Sequence, residues 1–138
     1  MATPSEDLQK AVFEALLADA AVAAVVGGNI FDQHPDPSND ALYPAITFGP
    51  ADFVPEEMDC IDGRADTLQI DAWAREGKRL RPAKALADKV YAALHRAPLN
   101  LETHALAEIA ISGVRSFMDP DGLTGHGIVT ITALIEER

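Results

Sequence analysis

Two β-rich segments near the C-terminus, joined by a single short turn, constrain the fold of this chain most. The segments "HALAEIAISGVRSFM" (104–118) and "HGIVTITALIEE" (126–137) are apolar and contain many β-branched residues, which favour strands. The connection contains four residues typical of bends: Asp119, Pro120, Asp121 and Gly122. Proline suits a type I turn, and glycine accepts a positive φ. We therefore predict an antiparallel hairpin, with a sheet as the centre of the fold.

The same turn has a second interpretation as a metal site, because Asp119, Asp121 and His126 lie close together in "DPDGLTGHG". A calcium loop that starts at Asp119 requires oxygen ligands at its fifth and twelfth positions, which here are Leu123 and Thr130. The histidine has no partner at zinc-site spacing, and the chain contains no phosphate-binding, dinucleotide-binding or nucleophile-elbow motif. We therefore predict no catalytic residue, no metal and no cofactor, and a small metal-assisted hydrolase stays a distant alternative.

Helix and strand patterns alternate along the rest of the chain. "TPSEDLQKAVFEALLADA" begins with Thr3 and Glu6 at capping-box spacing, and "GKRLRPAKALADKVYAALHRAPLN" has the apolar stripe of a second main helix. "AITFG" and "RADTLQIDAWAR" have strand character, and the second of them alternates clearly. These elements predict an α+β fold, a mainly antiparallel or mixed β-sheet with two main helices packed on one face.

Two segments of this single domain, residues 1–138, lack a helix or strand pattern. We expect residues 33–43 and 50–66 to be irregular, and the second segment mixes acidic and apolar side chains. Long loops without their own structure are often functional, and apolar residues among charges suit a contact between subunits. The candidate residues for a contact with another subunit, of this or of a different protein, are Phe53, Glu56, Glu57, Met58, Asp59, Ile61 and Asp62.

The charge balance excludes several classes of partner. The chain has 11 Lys and Arg against 22 Asp and Glu, a net charge of −11. Most proteins that bind nucleic acids or anionic membranes have a basic patch; the one basic cluster, at residues 78–84, is expected to be a solvated helix end, with a binding patch as the less favoured alternative. The single Cys60 and the absence of a secretory signal pattern or a long apolar run predict a protein made in a reducing cytoplasm.

The combined pattern resembles the DUF3168 family of tail-completion, or tail-terminator, proteins of long-tailed phages and gene transfer agents. The resemblance rests on five stretches in this order: "LQKAVFEALLAD", "YPAITFG", "DTLQIDAWAREG", "AKALADKVYAALHRAPL" and "MDPDGLTGHGIVTITALIE". It covers nearly the whole chain. Gly125 departs from it, because we expect a basic residue before His126 and Gly127.

The resemblance implies a non-enzymatic structural virion protein at the head–tail junction, made in the bacterial cytoplasm. Such a protein forms a ring, expected to be a hexamer, on the head-proximal end of the tail tube. Its partners are copies of itself, the tail-tube protein and a head-side connector protein, and DNA passes through the lumen without specific binding. The ring ends tube polymerisation and provides the head-joining surface. The nearer alternative is a head-side connector or head-completion adaptor protein.

Overall fold

A single five-stranded sheet forms the centre of the fold. The computed structural model describes residues 2–57 and 60–138, and its strands are β1 (Ile30–Phe31), β2 (Ala45–Pro55), β3 (Gly63–Ala74), β4 (Ala105–Met118) and β5 (Gly125–Glu136). They lie in the order β1-β2-β3-β5-β4. The pairing of β1 with β2 is parallel and the other three pairings are antiparallel, so the sheet is mixed.

Within the described residues, three α-helices complete the fold: α1 (Pro4–Ala18), α2 (Ala20–Val26) and α3 (Arg81–Leu94). The first begins with the predicted capping box, in which the Thr3 hydroxyl accepts from the Glu6 N–H and the Glu6 carboxylate accepts from the Thr3 N–H. Buried side chains of the helices and of one sheet face form the core: Leu8, Val12, Leu16, Ile70, Leu86, Val90, Val129 and Ile131. The predicted α+β class is confirmed. In the described part of the chain, no helix is both long and apolar enough to span a membrane.

Residues 50–55 and 63–66 are not irregular, so the prediction for segment 50–66 was wrong over these two stretches. β2 continues to Pro55 and β3 already begins at Gly63, and the two strands pair from Ala51–Leu68 to Pro55–Arg64. The acidic residues interrupt the alternation of apolar and polar side chains, so the sequence shows no strand pattern here. The extension of β3 is stabilised by β5 on its other side, where Gly63 pairs with Glu136. We call residues 50–66 the arm; the predicted contact residues Met58 and Asp59 lie outside the described residues.

Prolines mark the β2 part of the arm, residues 50–55, as a sheet edge. Pro50 and Pro55 lie in the distal half of β2, beyond the two residues that β1 covers, and the register shifts between Phe48 and Ala51. Proline lacks an N–H, so it is found on edge strands and at bulges. This edge is therefore poorly suited to pair with a further strand, and its side chains are the groups it offers to a partner.

Candidate interaction surfaces

The hairpin turn between β4 and β5 uses its own carboxylate. Asp121 accepts hydrogen bonds from the Leu123 and Thr124 N–H groups, at 2.8 and 3.0 Å, and from the Thr124 hydroxyl at 2.8 Å. Gly122 has a φ of 69°, as such a turn requires. The Leu123 N–H holds the pKa of Asp121 below its usual value, with help from Thr124 and Arg75 against the opposing effect of burial. The carboxylate therefore stabilises the bend.

His126, the histidine of the disfavoured metal-site interpretation, lies in a packed cluster. His126 Nε2 lies 2.6 Å from Asp71 Oδ1, and its ring stacks on Trp73 with centroids 3.8 Å apart. The Trp73 indole N–H donates to the Thr47 hydroxyl, and the edge of the His34 ring packs against the same indole. No group of three or more His, Cys, Asp or Glu side chains within residues 2–57 and 60–138 is placed to hold a metal ion.

Arg75 ties segment 33–43 to this end of the sheet. Its guanidinium donates to the Pro37 carbonyl and the Asp40 carboxylate, at 2.7 and 2.8 Å, and to the Thr124 hydroxyl at 3.0 Å. It also lies over the Tyr43 ring, 3.9 Å from the centroid. Sequence reasoning missed this residue, because nothing in the local pattern shows that an arginine after a strand joins two distant segments.

Four exposed cations lie at the same end of the molecule. We call Lys78, Arg79, Arg81 and Lys84 the basic cluster; none of them forms a salt bridge with any residue that the structure describes. They surround the start of α3, whose first turn contains no acidic residue and whose cap makes no side-chain hydrogen bond. Cations at a helix N-terminus are unfavourable, so the start of α3 itself attracts anions, whereas the neighbouring loops contribute the carboxylates of Asp40, Glu76 and Asp121.

The arm lies toward the other end of the sheet, at the start of β3. Phe53, Val54 and Ile61 are 49%, 56% and 38% exposed, which is high for large apolar side chains. The candidate acids Glu56, Glu57 and Asp62 are also exposed, as is Asp52. The exposed Phe53 pairs with Asp66 in the first half of β3, and the basic cluster follows the end of that strand at Ala74, so the eight residue steps between them separate the two surfaces by about 26 Å at the usual rise of a strand.

An open sheet with one helix-covered face, a basic cluster at the start of α3 and exposed apolar and acidic side chains on the arm offers several surfaces for contacts with other proteins. A family model described as tail completion protein gp17 matches residues 10–136, and the chain belongs to that family. It is therefore a structural component of a phage-type tail. The tail-completion part of the sequence-based assignment is confirmed, whereas the match does not carry the DUF3168 name.

A solved structure has a similar fold. A chain of a particle described as the virion of a native gene transfer agent is 25% identical to this one, and the two superpose with a TM-score of 0.82. The match covers 94% of each chain. Among curated proteins, no sequence matches.

Proposed function

We propose that this chain assembles into a ring, for which a hexamer is the expected number, at the head-proximal end of a tail tube. The ring caps the last layer of tube protein, ends polymerisation and offers its other face for joining the head. The observation that carries the proposal is the family match over residues 10–136. The likeness to a chain of a gene transfer agent virion supports a place in such a particle.

The mechanism is physical, and it involves no chemical step. A heterologous interface between two different surfaces of one chain closes into a ring when its rotation closes. One ring face matches the tube and blocks its addition sites, while the other face cannot accept a tube subunit. The arm is the main contact in this proposal, and segment 33–43, which Arg75 fixes in place, is a second one.

The net charge of −11 suits a passage for DNA. Phosphates find few cations to displace their counterions, so a strongly acidic ring holds DNA weakly while it passes. The binding surfaces then serve other proteins, and a non-enzymatic role agrees with the way Asp121 and His126 are used inside the fold.

The test is tube assembly in vitro. Tail-tube protein is polymerised with and without this chain, and tube length and solution mass are measured by electron microscopy and light scattering. We expect a ring-sized species, free or on tube ends, and shorter tubes. A variant with Phe53→Ser, Val54→Ser and Ile61→Ser should remain folded and lose capping. A chain that ignores the tube and binds a portal-side protein instead would overturn termination in favour of a head-side connector.

A further inference from the structure

We propose that the arm of one subunit docks on the basic cluster of a second copy of this chain. The proposal rests on the ring of the proposed function and names the two surfaces that form its repeated contact. The arm supplies carboxylates and exposed apolar side chains, and the start of α3 supplies cations. Every subunit then uses each surface once, as a head-to-tail interface requires.

Charge complementarity is the first support. The described part of the arm presents four exposed acids that form no salt bridge with the described residues: Asp52, Glu56, Glu57 and Asp62. Its cation, Arg64, is already engaged, with Nε 2.9 Å from Asp66 and a guanidinium nitrogen 3.8 Å from Glu137. The four cations of the basic cluster likewise form no salt bridge with a described residue, although the exposed Glu76 lies beside Lys78. The two surfaces thus carry unpaired charges of opposite sign.

The positions of the patches decide where that partner comes from. The arm and the basic cluster lie at opposite ends of β3, a strand that is paired along its whole length with β5. Such a strand cannot bend back on itself, so the arm cannot reach the cluster of its own chain. Two copies can bring the patches together without deforming the sheet.

Apolar complementarity is the second support. A cavity of about 490 Å³ opens beside the basic cluster, and its lining combines the apolar groups of Tyr43, Pro44 and Leu123 with the charged side chains of Asp40, Arg75, Glu76 and Lys78. The arm exposes Phe53, Val54 and Ile61, which are large enough to fill part of such a cavity. Charges steer and orient the encounter, and burial of these side chains supplies affinity.

Local electrostatics at α3 is the third support. The partial positive charge of the helix N-terminus adds to the four cations, and within the first turn there is no acidic residue to offset them. Carboxylates from a neighbouring arm would relieve this repulsion. The free chain is therefore preorganised to accept an acidic partner at this place.

Paired charge reversals test the contact. The arm variant carries Asp52→Lys, Glu56→Lys and Glu57→Lys; the cluster variant carries Arg79→Glu, Arg81→Glu and Lys84→Glu. The control variant reverses three exposed acids elsewhere, Glu14→Lys, Asp32→Lys and Asp88→Lys. Circular dichroism verifies folding, and light scattering measures the mass of each protein alone and with tail-tube protein.

We expect wild type and control to form the ring, and each of the two surface variants to fall at least tenfold in self-association. An equimolar mixture of the two surface variants should recover the ring, because the reversed arm fits the reversed cluster. In the mixture the two variants must alternate around the ring, and such an arrangement closes only when the number of subunits is even, as in the expected hexamer.

The other outcomes are equally decisive. Rings formed by either variant alone, or no recovery in the mixture, would overturn this pairing and leave the ring itself intact. A cluster variant that self-associates normally but no longer binds the tube would assign the basic cluster to the tube protein. A wild type that stays monomeric with and without tube protein, or stops at a dimer, would overturn the proposed function.

Discussion

At the scale of single residues, Asp7 of α1 binds the backbone just before β4 through hydrogen bonds. The side chain is buried, and its two oxygens accept from the N–H groups of Glu102, Thr103 and His104 at 3.0, 2.9 and 2.9 Å. Burial alone would raise the pKa of Asp7, but these three donors, helped by the charge of His104, outweigh it and lower the pKa. The ionised carboxylate therefore stabilises the fold.

Replacing Asp7 with Asn should lower the free energy of unfolding by about 2 kcal/mol at pH 7, because the amide nitrogen faces a donor and leaves buried N–H groups unpaired. Since the folded pKa is lower than the unfolded one of about 3.9, the stabilisation is complete above the unfolded pKa and is lost as pH falls through the folded pKa. Urea unfolding at neutral and acidic pH checks both effects. Asp88→Asn, at an exposed site, is the control; a difference between wild type and variant that persists after the carboxyl is protonated would contradict the explanation.

Tyr43 is a second residue with an unusual environment. Its hydroxyl is buried and has no hydrogen-bond partner in the described part of the chain. Burial raises the pKa of Tyr43 against the opposing charge of Arg75. Such an orphaned group costs free energy in the folded state.

Tyr43→Phe should therefore leave the stability unchanged or raise it by up to about 1 kcal/mol, because the ring and its contact with Arg75 are kept. Thermal unfolding measures the change. Tyr91→Phe, in which a 40% exposed tyrosine loses its hydroxyl, should have no effect. A clear loss of stability in Tyr43→Phe would mean that the hydroxyl has a partner.

At the scale of elements, two glycines on β5 let α3 lie close to the sheet. A Cβ at Gly125 would come within 2.9 Å of the Ala83 Cβ, and one at Gly127 within 3.0 Å of the Ala87 Cβ. Small residues thus face one another across the helix–sheet contact. The resemblance suggested a basic residue at position 125, but in this chain the position is buried against α3 and holds no larger side chain.

Gly125→Ala should destabilise the protein by about 1–3 kcal/mol, because the added methyl overpacks a contact with a helix that cannot move alone. Gly113→Ala on the neighbouring β4 is the matched control, since nothing lies within 4 Å of the Cβ it would add. The control should be neutral or slightly stabilising. Equal losses in the two variants, measured by urea unfolding, would show that strand conformation matters here and that close packing does not.

At the scale of the whole molecule, the net charge of −11 coexists with one concentrated basic cluster. The acids are spread over the surface, whereas four of the 11 Lys and Arg residues gather within residues 78–84. Long-range repulsion of a polyanion therefore competes with local attraction at one end.

We expect the repulsion between the acidic protein and the DNA phosphates to dominate, so that a short labelled DNA duplex binds with a Kd weaker than about 100 μM at near-physiological salt. Fluorescence anisotropy measures this directly. Tight binding by the wild type that disappears in Arg79→Glu, Arg81→Glu, Lys84→Glu would instead make the basic cluster a DNA contact.

Local interactions explain what could be predicted from the sequence. The capping box at Thr3 and Glu6, the buried stripe of α3 at Leu86 and Val90, and the β character of 104–118 and 126–137 depend on residues close together in the chain. Hydrophobic periodicity and capping motifs show such local interactions directly in the sequence. The α+β class followed from them.

Only the tertiary structure decided the rest. The arm forms strands because β5 supports β3 from the other side, Asp7 binds N–H groups about 95 residues further along the chain, and Arg75 joins two segments that are remote in sequence. Each of these interactions links chain segments whose separation no local pattern encodes. The acidic arm and the basic cluster lie toward opposite ends of β3 because that strand runs straight between them. Whether a charged side chain has a partner depends on which groups the fold brings near it.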